Sequence, residues 1–469
     1  MNLQTRPFQP GKAFILAFFL VFSSLAPLQS RAQGVPEPKR ERLLNGLRVL
    51  LWVRPGSPDV TLKLRIHSGA AFDLADKAGT MALLGDSLFP DPTTREFITG
   101  ELKGSLEVVT DYDAINVTLA GRAAEFERIV DLLRAALVNP LPQVETVAKL
   151  REARVMIVRE TGIAPGSIAD RAAASRLFGA YPYGRAVAGD ADSLPRIERT
   201  DLLFARERFL NPDNATLVVT GGVDERRAMR ALRQLLGAWR KGDKAVPTTF
   251  RQPDAPDTRT LMIDLPGAET AEIRLATRGL ARSDADYPAA TLLALLVRDR
   301  WQAALPELGK SAFFVRHDAH VLPGIFMLGA AVHNRTAAST LRAARNVLRA
   351  LANSPPTATE LERVRSEAAA VFNRRTQEDP ASLSEMWLDM ETYKLAPIDE
   401  QARALSLVTP ADLQRTAARL FRDASMASVV VGSAVALRAD LERLGRIEIS
   451  GEAAVPKAAP GAGTPTKTP

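Results

Sequence analysis

At 469 residues the chain is too long for one ordinary core, and 46% hydrophobic with 25% charged residues is the balance of a globular protein, not a disordered or fibrous one. It contains no cysteine, which excludes disulfides, thiolate metal sites and a cysteine nucleophile. The formal charge of +7 is spread as arginines among glutamates and aspartates, the pattern of a solvated surface, and argues against nucleic-acid binding.

Residues 1–32 carry Arg6 and Lys12, an apolar run from Ala13 to Leu25, and a small-residue site at Ser30-Arg31-Ala32. This reads as a secretory signal peptide cleaved after Ala32, with an uncleaved anchor as the alternative; either way the bulk of the chain is expected outside the cytoplasm. Cleavage removes Arg6, Lys12 and Arg31 and no acid, which lowers the charge from +7 to +4. No later stretch reaches about 18 uncharged apolar residues, so no membrane span is expected after cleavage.

Val60 to Ile66 alternates like a strand with one face buried. Gly79 to Phe89 contains Ala82, Gly85 and Asp86. Ser105 to Leu119 reads as a hairpin about Asp111-Tyr112-Asp113, with Glu107-Val108-Val109-Thr110 in its first strand. Phe126, Ile129, Val130, Leu133 and Leu137 recur at helical spacing, as an amphipathic helix on a sheet requires. Val155 to Glu160 and Tyr181-Pro182-Tyr183-Gly184-Arg185 with Gly189 come next along the chain, and Phe209 to Val219 runs through a turn into an apolar strand.

Residues 241–258 are rich in proline and charge, with Pro247, Pro253 and Pro256, and read as a linker. Beyond it the pattern repeats. With a shift of 211 residues, Asp201-Leu202, Arg208, Val218-Val219 and Gly221 fall on Asp412-Leu413, Arg419, Val429-Val430 and Gly432, and Leu62 and Leu64 fall on Ile273 and Leu275. The predicted fold class is therefore α+β: two tandem homologous domains over 36–240 and 259–450, each a mixed or antiparallel sheet packed with helices. The tail 451–469, of proline, alanine, glycine and threonine, is expected to be disordered.

The chain has four histidines, of which only His317 and His320 are close. In an apparent strand a spacing of three turns their rings to opposite faces, so a shared metal is not expected. No Gly-x-Ser-x-Gly elbow, Walker loop or dinucleotide glycine fingerprint occurs.

Several of these segments, in order, resemble the pitrilysin family of M16 metallopeptidases, which includes mitochondrial processing peptidases and insulin-degrading enzymes. Leu44-Asn45-Gly46-Leu47-Arg48-Val49 resembles that family's opening Leu-x-Asn-Gly-Leu-x-Val strand, Gly79 to Phe89 its Gly-x-x-His-x-x-Glu-His-x-Leu-Phe helix, Val155 to Glu160 the helix bearing its third zinc ligand, Tyr181 to Gly189 its His-Pro-Tyr-Gly-Arg loop, and Phe209 to Val219 its Tyr-x-Pro-Asp-Asn strand entry. The resemblance implies that Ala82, Gly85 and Asp86 stand at the histidine, glutamate and histidine positions of the zinc motif, and that Glu160 keeps the third-ligand position. Two histidines four apart share a helix face and can hold one zinc, with the glutamate as general base; alanine and glycine supply neither a lone pair nor a carboxylate. Asp86 is expected to meet an arginine or solvent, since Asp86 and Glu160, on helices the fold brings together, fall short of a calcium or magnesium site.

By the same resemblance, Glu107, Val108, Val109 and Thr110 occupy the edge strand that receives substrate by strand addition, without the family's usual asparagine. Phe326 and His333 stand where active members have an arginine and a tyrosine; Arg316 and Arg335 lie nearby. No catalytic residue, metal or cofactor is expected in this chain, and zinc is expected in a partner. The implied function is a catalytically inactive, periplasmic subunit that pairs with a zinc-bearing homologue around extended peptides. The alternatives are a non-enzymatic envelope scaffold or peptide-binding protein and, third, an autonomous peptidase with a relocated metal.

Overall fold

The computed structural model describes residues 35–242 and 250–450; the signal-peptide segment, Pro247 and the tail lie outside the described residues. The first half builds a six-stranded sheet from β1 (Lys39–Arg42), β2 (Arg48–Val53), β3 (Asp59–Ile66), β4 (Ser105–Thr110), β5 (Ile115–Arg122) and β6 (Ala215–Gly221), in the order β1-β2-β6-β3-β5-β4. The second half repeats it with β7 (Thr260–Asp264), β8 (Thr270–Arg278), β9 (Phe313–Asp318), β10 (Ile325–His333), β11 (Met426–Gly432) and β12 (Ile447–Ser450), in the order β12-β7-β11-β8-β10-β9. Helices α1 (Thr80–Asp86), α2 (Pro92–Gly100), α3 (Phe126–Val138), α4 (Val144–Gly162), α5 (Pro165–Phe178), α6 (Arg199–Phe209) and α7 (Glu225–Leu236) belong to the first half. Those of the second are α8 (Tyr287–Ala303), α9 (Asn334–Asn353), α10 (Ala358–Asn373), α11 (Pro380–Tyr393), α12 (Ile398–Leu407), α13 (Pro410–Ala417) and α14 (Ala434–Glu442).

The 211-residue shift holds down to single hydrogen bonds. It carries β3 onto β8 and β6 onto β11, and it carries the reciprocal cap of α6, between Glu198 and Asp201, onto that of α13, between Thr409 and Asp412. Each cap satisfies two amide groups that would otherwise be orphaned at a helix start. The outermost strands differ: β1 runs antiparallel to β2, whereas β12 runs parallel to β7.

Two strand expectations are corrected. The opening strand begins at Arg48, not Leu44: Leu44 is fully exposed in the β1–β2 turn, where Gly46 has φ +97°, a left-handed backbone that suits glycine. Alternation in β3 does bury Val60, Leu62, Leu64 and Ile66 in the main core, but its other face is covered too. Helix α11, from the second half, packs Leu383, Met386 and Trp387 against Leu50 and Val218, and Trp387 meets Trp52 edge-on at 5.4 Å. Beside that apolar contact, Lys63 donates to Glu385 at 2.6 Å, while Arg65 donates to Glu385 and Asp389 at 2.7 Å each.

The exchange is reciprocal. Helix α5 of the first half sets Ala169, Ala173 and Leu177 against Ile263, Ala276, Val429 and Val431 of the second sheet, and Asp170 pairs with Arg274. Under the 211-residue shift Arg274 falls on Lys63, so equivalent strand positions anchor the equivalent foreign helices. Each sheet thus has a core with helices of its own half on one face and one helix of the other half on the opposite face.

Candidate functional site

Helix α1 starts at Gly79, whose φ of +96° lets the chain enter the helix abruptly. The Asp73 carboxylate takes the N–H of Gly79 at 2.7 Å and of Met81 at 2.8 Å, which ties down the helix start. Burial pushes the Asp73 carboxyl up to about 7, against the pull of those amides and of Arg185. Ala82 is buried among core side chains. At Gly85 a Cβ would stand 2.9 Å from Thr110 Oγ1 and 3.4 Å from Val108 Cγ1, so glycine is what allows α1 to lie this close to β4.

Asp86 meets an arginine. From α4, Arg154 Nε and Nη2 each donate to the Asp86 carboxylate at 2.7 Å, and Nη2 also reaches Ala82 O at 3.3 Å. A guanidinium therefore spans both histidine positions of the motif, bonded to backbone at one and to carboxylate at the other. Burial raises the Asp86 carboxyl, opposed by the Arg154 charge.

Glu160 does not join this group. The inward line of α4 runs through Val147, Leu150 and Val158, which pack on the first core. At about 100° per residue, Glu160 is turned about 200° from Val158 and is exposed. Around it lie Ala153, Met156, Ile157 and Ile163, all exposed; Met156 is 56%, Ile157 59% and Ile163 63% accessible. The helices of Asp86 and Glu160 do touch, through Arg154, as expected, but Glu160 faces away, so the two carboxylates do not meet.

These residues do not fit the family's zinc. Ala82 and Gly85 offer no donor atom, both oxygens of Asp86 are engaged by Arg154, and Glu160 is on the wrong face. Among the described residues no group of three or more His, Cys, Asp or Glu side chains is placed to hold a metal.

Next to α1, strand β4 is the sheet edge, paired only with β5. The register alternates, so the amides of Leu106, Val108 and Thr110 point outward while those of Glu107 and Val109 face β5. Arg95 Nη1 donates to the outward Leu106 carbonyl at 2.9 Å, which covers one of these groups. The Val109 side chain is 48% exposed.

In the second half, Phe326 is wholly buried in β10, edge-on to Phe421, and His333 is exposed at the end of the strand, so they form no site. Arg316 pairs with Asp170 and Asp318, and Arg335 is exposed. The reading of His317 and His320 in one strand is corrected, since β9 ends at Asp318. His317 Nε2 accepts the Leu280 N–H at 3.0 Å, and burial together with Arg282 lowers its pKa to about 4.

His320, in the following loop, crosses to the first half. Its Nδ1 lies 2.9 Å from Asp113 Oδ2, in the β4–β5 turn, and the same buried carboxylate accepts from Tyr393 Oη at 3.2 Å and Tyr183 Oη at 3.3 Å. Burial lowers the His320 pKa, but the bond and charge of Asp113 outweigh it and the net shift is upward. Sequence reasoning missed this junction; the turn signal at Asp111-Tyr112-Asp113 was visible, but its partners are distant in the chain.

Residues 196–368 match the family profile described as the peptidase M16 inactive domain. No curated protein sequence matches the chain. Among solved structures, the chain is similar to a peptidase M16 inactive domain from Pseudomonas fluorescens, with 20% identity and a TM-score of 0.77 over 86% of this chain and 99% of that one. A protease from Helicobacter pylori aligns at 17% identity and a TM-score of 0.78 over 85% and 100% of the two chains. A chain of complex III2 from Candida albicans aligns at 13% identity and a TM-score of 0.71 over 87% and 99%. A duplicated α+β fold with the segments of the motif in the same order is thus similar to the fold of M16 peptidase structures, and residues 196–368 match the peptidase M16 inactive domain.

Proposed function

We propose that this chain is a non-catalytic M16 subunit, exported to the periplasm, that pairs with a zinc-bearing homologue and forms one wall of a chamber for extended peptides. The observation that carries the reading is the Arg154–Asp86 bridge across the degenerate motif: an ion pair fills the place of the ligands and ties α1 to α4. Water activation then falls to the partner, which holds the zinc. On the other side of α4, the exposed stripe of Ala153, Met156, Ile157 and Ile163 supports a protein interface, because a soluble surface seldom carries such a row uncovered.

Co-expression with a zinc-bearing homologue, followed by size exclusion and a peptide-cleavage assay, tests this. A stable complex that cleaves faster than the homologue alone is expected, and M156E/I157E should prevent its formation. No complex and no gain in cleavage would remove the proposal. A scaffold role is favoured by one detail: Arg95 occupies the Leu106 carbonyl on the edge that an added peptide strand would use.

A further inference from the structure

The duplication permits an internal comparison at one corner of the second sheet. In the first half that corner is solid: Val49, Leu210 and Leu217 are core residues, and Trp239 joins them, its indole N–H donating to Leu210 O at 3.0 Å. Under the 211-residue shift these three positions become Thr260, Phe421 and Ser428, and in the second half they line an open cavity of about 830 Å³. Two apolar core positions have become hydroxyls, and both hold the same cation. Arg345 Nη2 donates to Thr260 Oγ1 at 3.0 Å and to Ser428 Oγ at 3.1 Å, and Nη1 to Leu444 O at 3.3 Å.

The cavity is lined by five arginines and one carboxylate. Arg259 is held by Asp257 and Glu448, and Arg422 by Asp423. Among the described residues no carboxylate pairs with Arg345, Arg349 or Arg446. Arg345 is half-buried, and burial and the neighbouring Arg349, one helical turn further along α9, both work against its charge. A guanidinium kept in a cleft by neutral acceptors, without a counter-ion, costs stability that a bound anion would return. The guanidinium fork matches phosphate oxygens two at a time, and a cavity of this volume is within the range that encloses a small organic molecule.

We propose that this cavity is a binding site for a small phosphorylated molecule carrying two or more negative charges, with Arg345 at the floor, Arg349 and Arg446 at the rim, and Phe421 and Leu348 against its apolar part. The site is independent of the peptidase reading and of any partner.

Isothermal titration of the full chain with inorganic tripolyphosphate at low salt tests it. One saturable site per chain is expected, with R345Q and R446A each weakening binding about tenfold or more. The variant R226A/R230A, in an arginine-lined groove of the first half, should change it less than about twofold. Because Arg446 is exposed, R446A keeps the test valid even if R345Q fails to fold. No saturable binding, an equal loss in R226A/R230A, or citrate binding as tightly as tripolyphosphate would overturn the assignment.

Discussion

Removal of Asp86 tests whether the degenerate zinc helix has acquired a structural task. The Arg154 and Asp86 side chains are 19% and 31% exposed, between a surface pair and a buried one, and share two bonds of 2.7 Å. Exposed pairs contribute about 0.2–1 kcal/mol, and breaking buried ones costs about 3–5 kcal/mol. D86A leaves the guanidinium with only the Ala82 carbonyl at 3.3 Å, so a loss of about 2–3 kcal/mol is expected. R154M should cost less, about 1–2 kcal/mol, because the Asp86 carboxyl, already raised by burial, can take a proton when its partner is gone. The double variant D86A/R154M should then be less damaged than the sum by about 1–2 kcal/mol. Native-state hydrogen exchange of the α1 amides reads this helix apart from the rest of the chain. A coupling within about 0.3 kcal/mol of zero would refute the reasoning, since the two side chains would then be independent.

Three further outcomes follow from the same geometry. W387A removes the largest side chain that α11 contributes to its contact with the first sheet and should cost about 3–5 kcal/mol, with urea unfolding of both halves shifting together; loss confined to the second half would contradict the exchanged-helix architecture. Asp73 is held near 7 in the fold against an ordinary value of about 3.9, so the folded state binds its proton more tightly: its stabilisation is fully present below the lower value and lost as pH rises through the upper. Wild type should therefore gain stability from about pH 8 to about pH 5, and D73N should flatten that rise in urea titrations. Restoring the motif as A82H/G85E/D86H should yield no stoichiometric zinc by elemental analysis, because Glu160 faces away and Arg154 remains between the ligand positions; one zinc per chain would show that placement of α4 to be wrong.

Much of the fold was legible where a residue's neighbours are local or repeated. Helix α3 and the β4–β5 hairpin followed from periodicity and turn residues, and the 211-residue shift anticipated that β6 and β11 would be equivalent. What escaped was contact between the halves. Lys63 and Arg65 alternate with core residues as a solvent-facing row does, and nothing near them in the chain signals Glu385 and Asp389, more than 300 residues away. A signal did exist in α11, where Leu383, Met386, Trp387 and Met390 form an apolar stripe next to those acids. At the site, loss of the ligands was plain from Ala82 and Gly85, but the partner of Asp86 depended on which face of α4 turns inward. Apolar residues occur on both sides of that helix, so periodicity left Arg154 and Glu160 equally placed.

The central claim, that any peptide chemistry belongs to the partner, is tested most directly by peptide cleavage in the reconstituted pair with one zinc motif altered at a time. Loss of activity when the partner's motif glutamate is replaced, with unchanged activity when this chain carries A82S, is the predicted result. Chelator-sensitive cleavage by this chain alone would contradict it.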